Sequence, residues 1–320
     1  MDAEWLQRRQ VAVYAAAVAL AGAVAASRPA AASSLERVVD PVLAVLLYVT
    51  FLEIPFVRLR RAFANVRFVA AALALNFLVV PVVVWVLAHA LPDSPAVLVG
   101  ALMVLLTPCI DYVVPFTAIA GGDAEQLTAT TPALMLVQLL LLPGFLWLFV
   151  GPEVARVVDA RPFVEAFAFL IAAPLTLAWL TEAWAERSAA GRRWQAAMGW
   201  LPVPAMAATL FVVVGSQLPR VWDSIDRVAA VVPVYVAFLV VMPLLARVAV
   251  GFLEVDVGEG RALVFTAVTR NSLVVLPLAL ALPAGYELAP AVVVAQTLVE
   301  LAGMVALTRV VPAWLLPEAG

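Results

Sequence analysis

Apolar runs long enough to cross a bilayer recur along this chain, and its charges gather between them. One membrane-crossing helix takes about 20 apolar residues. The runs are continuous and lack the residue-by-residue alternation of a membrane β-barrel strand. In hydrocarbon, a helix satisfies its backbone donors and acceptors within itself. Of the 320 residues, 65% are hydrophobic and 13% charged, against about half and a quarter in an average soluble domain. Ten spans fit, with little left for a soluble domain: 10–27, 39–57, 68–91, 95–120, 128–150, 163–185, 196–218, 228–252, 261–283 and 289–312. The expected fold is an all-α integral membrane protein with ten transmembrane helices. A cleaved signal peptide is the competing reading of the first run; the repeat described below requires it as a span.

The residue inventory excludes several kinds of chemistry. All nineteen basic residues are Arg, which removes a P-loop, a Schiff-base lysine and a Ser-Lys dyad. His89 is the single His and Cys109 the single Cys, so a His-rich metal site, a Ser-His-Asp triad and an intrachain disulfide are not expected. No enzyme activity and no cofactor are expected. The net charge is −3, and with no basic stripe it argues against a nucleic-acid partner. Twelve arginines fall on the side of the N-terminus, among them Arg8, Arg9, Arg58, Arg187, Arg192 and Arg193, and six on the other side. The positive-inside rule then places both termini in the cytoplasm of a multi-pass cell-membrane protein. Trp85 and Trp147 fall toward span ends, where aromatic residues anchor at the interface.

The two halves, 1–160 and 161–320, resemble each other. Phe77-Leu-Val-Val-Pro81 in span three matches Phe238-Leu-Val-Val-Met-Pro243 in span eight. TPCIDYVVP (107–115) in span four matches TRNSLVVLP (269–277) in span nine, at an offset of 162 between Thr107 and Thr269. Pro132-Ala133 and Gln138 in span five match Pro290-Ala291 and Gln296 in span ten, at an offset of 158. Five spans per copy is odd, so the second copy enters the membrane from the opposite side. Such inverted repeats are common in secondary transporters, with a substrate site near the midplane.

The paired motifs also carry the polar residues of the bilayer interior. The first holds Pro108, Asp111 and Pro115; the second holds Arg270, Asn271, Ser272 and Pro277. A proline removes a donor and clashes one turn back, so breaks are expected at Pro108, Pro115 and Pro277. The freed backbone groups must be buried in protein or line a wet cavity. A charge at this depth costs at least about 2.5–3.5 kcal/mol. The expectation is two unwound helices crossing around a polar site. The alternative is prolines that merely bend packed helices, with Asp111 and Arg270 in a silent ion pair.

At TPCIDYV (107–113), AGGD (120–123), TRNSLVVLP (269–277) and QTLVEL (296–301) the chain resembles the bile acid/sodium symporter superfamily and, within it, the arsenite permease family. LLYVTFLEIPF (46–56) and LNFLVVP (75–81) support the resemblance. It spans essentially the whole chain and implies two inverted five-helix repeats with broken, crossing helices at spans four and nine. It also implies an arsenite/proton antiporter that confers arsenic resistance. Pro108-Cys109, Arg270-Asn271 and Glu300 match the family's Pro-Cys pair, Arg-Asn pair and span-ten acid. Two positions depart. Val274 stands where many arsenite permeases have Glu. Thr266 and Arg270 stand where sodium-coupled bile-acid members have Glu and Gln, which argues for protons over Na⁺.

The resemblance assigns roles. Arsenite is mostly a small neutral trihydroxide whose soft As(III) favours a thiolate, so Cys109 is the expected ligand; the plain reading is a small buried hydrophobe. Thr107, Asn271 and Ser272 either bond substrate hydroxyls or satisfy broken-helix backbone. Arg270 is a fixed charge, placed with the substrate-binding residues and expected to hold the two broken helices together. Glu300 is the preferred proton carrier and Asp111 the second; otherwise Glu300 bonds Gln296 and steadies span ten. Glu53 reads as an interfacial charge, Asn76 as cavity-facing or packed, Asp123 and Glu125 as solvated, and His89 has no role. The competing function is Na⁺- or H⁺-coupled symport of an organic anion, with Arg270 binding its carboxylate. The partners are arsenite, the coupling proton and the lipid bilayer.

Overall fold

The computed structural model describes residues 9–28, 30, 32–52, 65–110, 112–151, 167–223, 225–253, 255–280 and 282–318. The expectations for Asp111, Glu53 and Arg58 fall outside these residues. The regular elements among the described residues are all helical. Val66–Ala88, Ile225–Phe252 and Ala289–Leu315 are each long and apolar enough to cross a membrane. Two bent pairs qualify when each is taken as one span: Ala124–Gln138 with Leu140–Val150, and Ala189–Met198 with Pro202–Ser216. Shorter or interrupted helices fall on the other expected runs.

The chain divides into two compact units, and each draws on both sequence halves. One comprises residues 1–57, 160–225 and 280–282; the other comprises 58–159, 226–279 and 283–320. The packing division is thus a different cut of the chain from the repeat division expected at 160.

The first unit contains α1 (Gln10–Ser27), α2 (Ala32–Leu52), α7 (Ala173–Arg187), α8 (Ala189–Met198) and α9 (Pro202–Asp223). Ala17, Ala21 and Ala25 form a buried small-residue stripe on α1, of the kind that lets membrane helices approach closely. On α9, a Cβ at Gly215 would fall 2.6 Å from Leu35 Cδ1 of α2. Tyr48 Oη lies 3.0 Å from Thr181 Oγ1 and accepts from Trp194 Nε1. The expected span 196–218 falls across a bent helix pair. Its helix starts at Pro202 and follows a separate short helix, α8, on which Arg192 and Arg193 are exposed. Gly191 permits the tight α7–α8 turn, since a Cβ there would lie 2.7 Å from the Trp184 carbonyl oxygen.

The second unit contains α3 (Val66–Ala88), α4 (Pro95–Leu105), α5 (Val113–Ile119), α6 (Ala124–Val150), α10 (Val232–Phe252), α11 (Val257–Val268), α12 (Ser272–Leu280) and α13 (Ala289–Val310). Asn65, Asp123 and Asp256 cap α3, α6 and α11, each accepting a backbone N–H three residues on. Asp123 is therefore a half-buried cap and not simply solvated, because a free N-terminal turn needs an acceptor. Glu125 and His89 are exposed. Within α3, residues Leu75–Val79 form a π-helical turn in which the Val80 N–H reaches the Leu75 carbonyl. Pro81 has no N–H for the regular ladder, and the slip occurs just ahead of it. Asn76, in that turn, is fully buried.

Candidate functional site

The fourth apolar run is broken where its motif lies. Helix α4 stops at Leu105 and α5 begins at Val113. Pro108 sits in the gap and disfavours helical backbone for itself and for Thr107. Pro115 is the third residue of α5, where no intrahelical N–H bond is needed. In the ninth run α11 stops at Val268 and α12 begins at Ser272. Pro277 lies inside α12 and not at the break. Asn271 opens α12 instead: its Oδ1 accepts from the Val274 N–H at 3.2 Å. Of the three proposed break prolines, only Pro108 stands in an interruption; the second break is made by a capping side chain.

The two interruptions bond to each other. Pro108 and Arg270 form an isolated antiparallel bridge. The Cys109 N–H donates to the Thr269 carbonyl at 3.0 Å, and the Asn271 N–H donates to the Thr107 carbonyl at 2.8 Å. The pairs 107 and 269, 108 and 270, 109 and 271 all differ by 162, the offset that relates the two motifs. Each bond is therefore the counterpart of the other under exchange of the motifs. Thr107 and Thr269 match in a further way, since their hydroxyls fold back onto the carbonyls of Met103 and Phe265. The Thr107 hydroxyl thus serves its own helix.

Two buried charged side chains complete the crossing. The Arg270 guanidinium donates from Nη1 to the Leu105 carbonyl at 3.3 Å. From Nη2 it reaches the carbonyls of Thr266 and Ala267 and the Asn76 Oδ1, each at 2.8 Å. Its carbon lies 5.4 Å from the Phe238 ring centre, within cation–π range. The accepting carbonyls belong to the C-terminal turns of α4 and α11, which carry partial negative charge. Arg270 therefore ties the first half-helices of both broken runs together. Glu300, also fully buried, lies at the opposite pole. Its Oε2 accepts the Arg270 backbone N–H at 2.8 Å and the Gln296 amide, and its Oε1 accepts the Tyr112 hydroxyl. Arg270 and Tyr112 lead into α12 and α5, whose N-terminal ends carry partial positive charge. Arg270 and Glu300 meet through a backbone N–H and not through the guanidinium.

Several polar atoms around the crossing have no protein partner: Asn271 Nδ2, Ser272 Oγ, Gln296 Oε1 and Arg270 Nε. Both amide atoms of Gln138, the counterpart of Gln296, are likewise unpartnered. Burying such a group costs about 1–3 kcal/mol. All five side chains are at most 2% exposed, and so is Cys109. Asn271, Ser272, Cys109 and Glu300 are all buried, in or beside the two interruptions. Tyr112 was not anticipated, although it lies inside the first motif. Asn76 belongs to the polar centre, its Nδ2 donating to the Ala72 carbonyl and Thr266 Oγ1, because the π turn of α3 holds it opposite Arg270.

A family model described as "Sodium Bile acid symporter family" matches residues 40–224, more than half of the chain. The chain belongs to the sodium bile acid symporter family. Members of this family are transporters rather than enzymes, and the helical, apolar architecture agrees with a membrane protein. The matched region carries the first interruption, and the second lies beyond it. No curated protein matches the sequence significantly.

Proposed function

We propose that this member of the family exports arsenite across the cell membrane in exchange for protons, with ten spans in two inverted repeats, 1–160 and 161–320, and both termini cytoplasmic. The observation that carries this reading is the direction of Arg270. Both terminal guanidinium nitrogens are engaged by protein oxygens, and only Nε lacks a partner. A two-pronged grip on a carboxylate needs a free fork, so the organic-anion reading loses its cation. The groups left over are a neutral amide, a hydroxyl and an amide carbonyl, which suit a small uncharged trihydroxide. Cys109 supplies the soft atom. Its thiol hydrogen and one arsenic hydroxyl leave together as water when the S–As bond forms, and water reverses the step. A single thiol makes the contact reversible.

Glu300 supplies the exchangeable proton in this reading, and Asp111 remains the second candidate. Glu300 bonds both interruptions at once, so its charge state bears directly on the crossing. Everted vesicles with an acidic lumen test the proposal. Arsenite accumulation is expected in the wild type and its loss in Cys109→Ala. Accumulation unaffected by Cys109→Ala defeats the thiol ligand. Na⁺-dependent uptake of an organic anion in place of arsenite transport defeats the whole reading.

A further inference from the structure

We infer that Tyr112 is the positioning residue that passes the protonation state of Glu300 to the crossing, by moving one hydrogen between two acceptors. The inference rests on the proton role proposed for Glu300. The Tyr112 hydroxyl lies within bonding range of Glu300 Oε1 and, at 3.0 Å, of the Arg270 carbonyl oxygen. A phenol has one hydrogen, so it serves one of these acceptors at a time. The Arg270 carbonyl stands in the second interruption, next to the Asn271 N–H that bonds Thr107.

The two carboxylate oxygens are not equivalent. Oε2 accepts two N–H donors, from Arg270 and Gln296. Oε1 accepts the Tyr112 hydroxyl. An incoming proton therefore settles on Oε1, where it displaces one donor and not two. The new Oε1–H then donates to Tyr112 Oη, and the phenol hydrogen swings to the Arg270 carbonyl. One proton enters, none leaves, and every hydrogen has an acceptor. With Glu300 ionised, Tyr112 ties span ten to the first interruption. With Glu300 neutral, it keeps that tie as an acceptor and also ties the first interruption to the second through the Arg270 carbonyl.

Among the described residues, Arg270, Cys109 and Tyr235 are the other titratable or charged groups that face this point. The Arg270 guanidinium is turned to the half-helix carbonyls. Cys109 shares the electrostatic surroundings of Arg270. Tyr235 of α10 donates to the Val292 carbonyl at 3.0 Å, two turns before Glu300. The Arg270 guanidinium and the Tyr235 hydroxyl are thus bonded elsewhere, and Oε1 accepts the Tyr112 hydroxyl. The Tyr112 ring packs edge-on to Phe116, with centres 6.4 Å apart, and Tyr112→Phe keeps that contact while removing the hydroxyl.

Infrared difference spectroscopy across a pH jump, on the purified full chain, reads the carboxyl directly. A protonated-carboxyl band absent in Glu300→Gln is expected in the wild type. In Tyr112→Phe that band is expected to shift to higher wavenumber, because the acid hydrogen has lost its acceptor. A band that stays in place overturns the role of Tyr112 and leaves Glu300 as carrier. A missing Glu300 band in the wild type overturns both. Should Tyr112→Phe fail to fold, ring-labelled tyrosine in the wild type gives the same answer. A tyrosine C–O band must then move in the jump and stay still in Glu300→Gln; a band that does not move in the wild type overturns the inference.

Discussion

Arg270 shows on what terms a guanidinium is tolerated at this depth in an apolar chain. It has four oxygen acceptors, three of them carbonyls at helix ends, and an aromatic face 5.4 Å away. The acceptors lie in different directions, which a planar fork can serve and a point charge cannot. Arg270→Lys is therefore expected to leave at least one carbonyl unpartnered and to destabilise the chain by about 1–3 kcal/mol. Thermal unfolding in detergent measures this, and an unchanged midpoint would show that the fork geometry is not needed. The sequence makes Arg270, Asn271 and Glu300 conspicuous, because each breaks an apolar run. Which way each side chain turns was not legible. The partners of Arg270 come from residues 76 and 105 as well as from the preceding helix, so that pairing needs the tertiary fold. Tyr112 is inconspicuous for a related reason: a tyrosine in an apolar run reads as packing, and its two acceptors come from residues 270 and 300.

At the scale of elements, the half-helices depend on a few close approaches. On α4, a Cβ at Gly100 would lie 2.8 Å from the Ala289 carbonyl oxygen and 2.9 Å from its Cα. These are backbone atoms at the start of α13, so they cannot move aside as a side-chain tip can. Gly100→Val is expected to push α13 away from α4 and to shift Glu300 relative to both interruptions. Overpacking of this kind costs about 1–3 kcal/mol. Yield of folded protein by size-exclusion chromatography checks it, and wild-type yield and stability would mean that the two helices part without consequence. The positions of the two interruptions were legible in the paired motifs, but their causes differ. Pro108 breaks the first run, while the Asn271 cap opens α12 and Pro277 is carried within it. Proline counting overstated the breaks, since a proline in a first turn such as Pro115 removes a bond that the helix never makes.

At the scale of the whole molecule, the proposed orientation, with both termini cytoplasmic, rests on the arginine bias. Loops of one parity should share a membrane face. Asn65 bonds Glu259, the Asp123 N–H donates to the Gly258 carbonyl, and Arg261 reaches the carbonyls of Ala120, Gly121 and Leu316. In the proposed topology these residues lie in or beside the loops after spans two, four and eight and in the C-terminal segment, all on the cytoplasmic side. Ser94 and the 282–288 segment border the other ends of α4 and α13. In a Cys109→Ala background, Asp93→Cys and Glu287→Cys are then expected to react with an impermeant maleimide on intact cells. Arg193→Cys and Glu125→Cys should react only after permeabilisation. All four positions are exposed, so lack of reaction reports sidedness and not burial. The opposite pattern would reverse the orientation. Asp93 and Glu287 labelling from different sides would break the pairing of the two interrupted runs, because α4 and α11 must enter from opposite faces for their C-terminal ends to meet at one guanidinium.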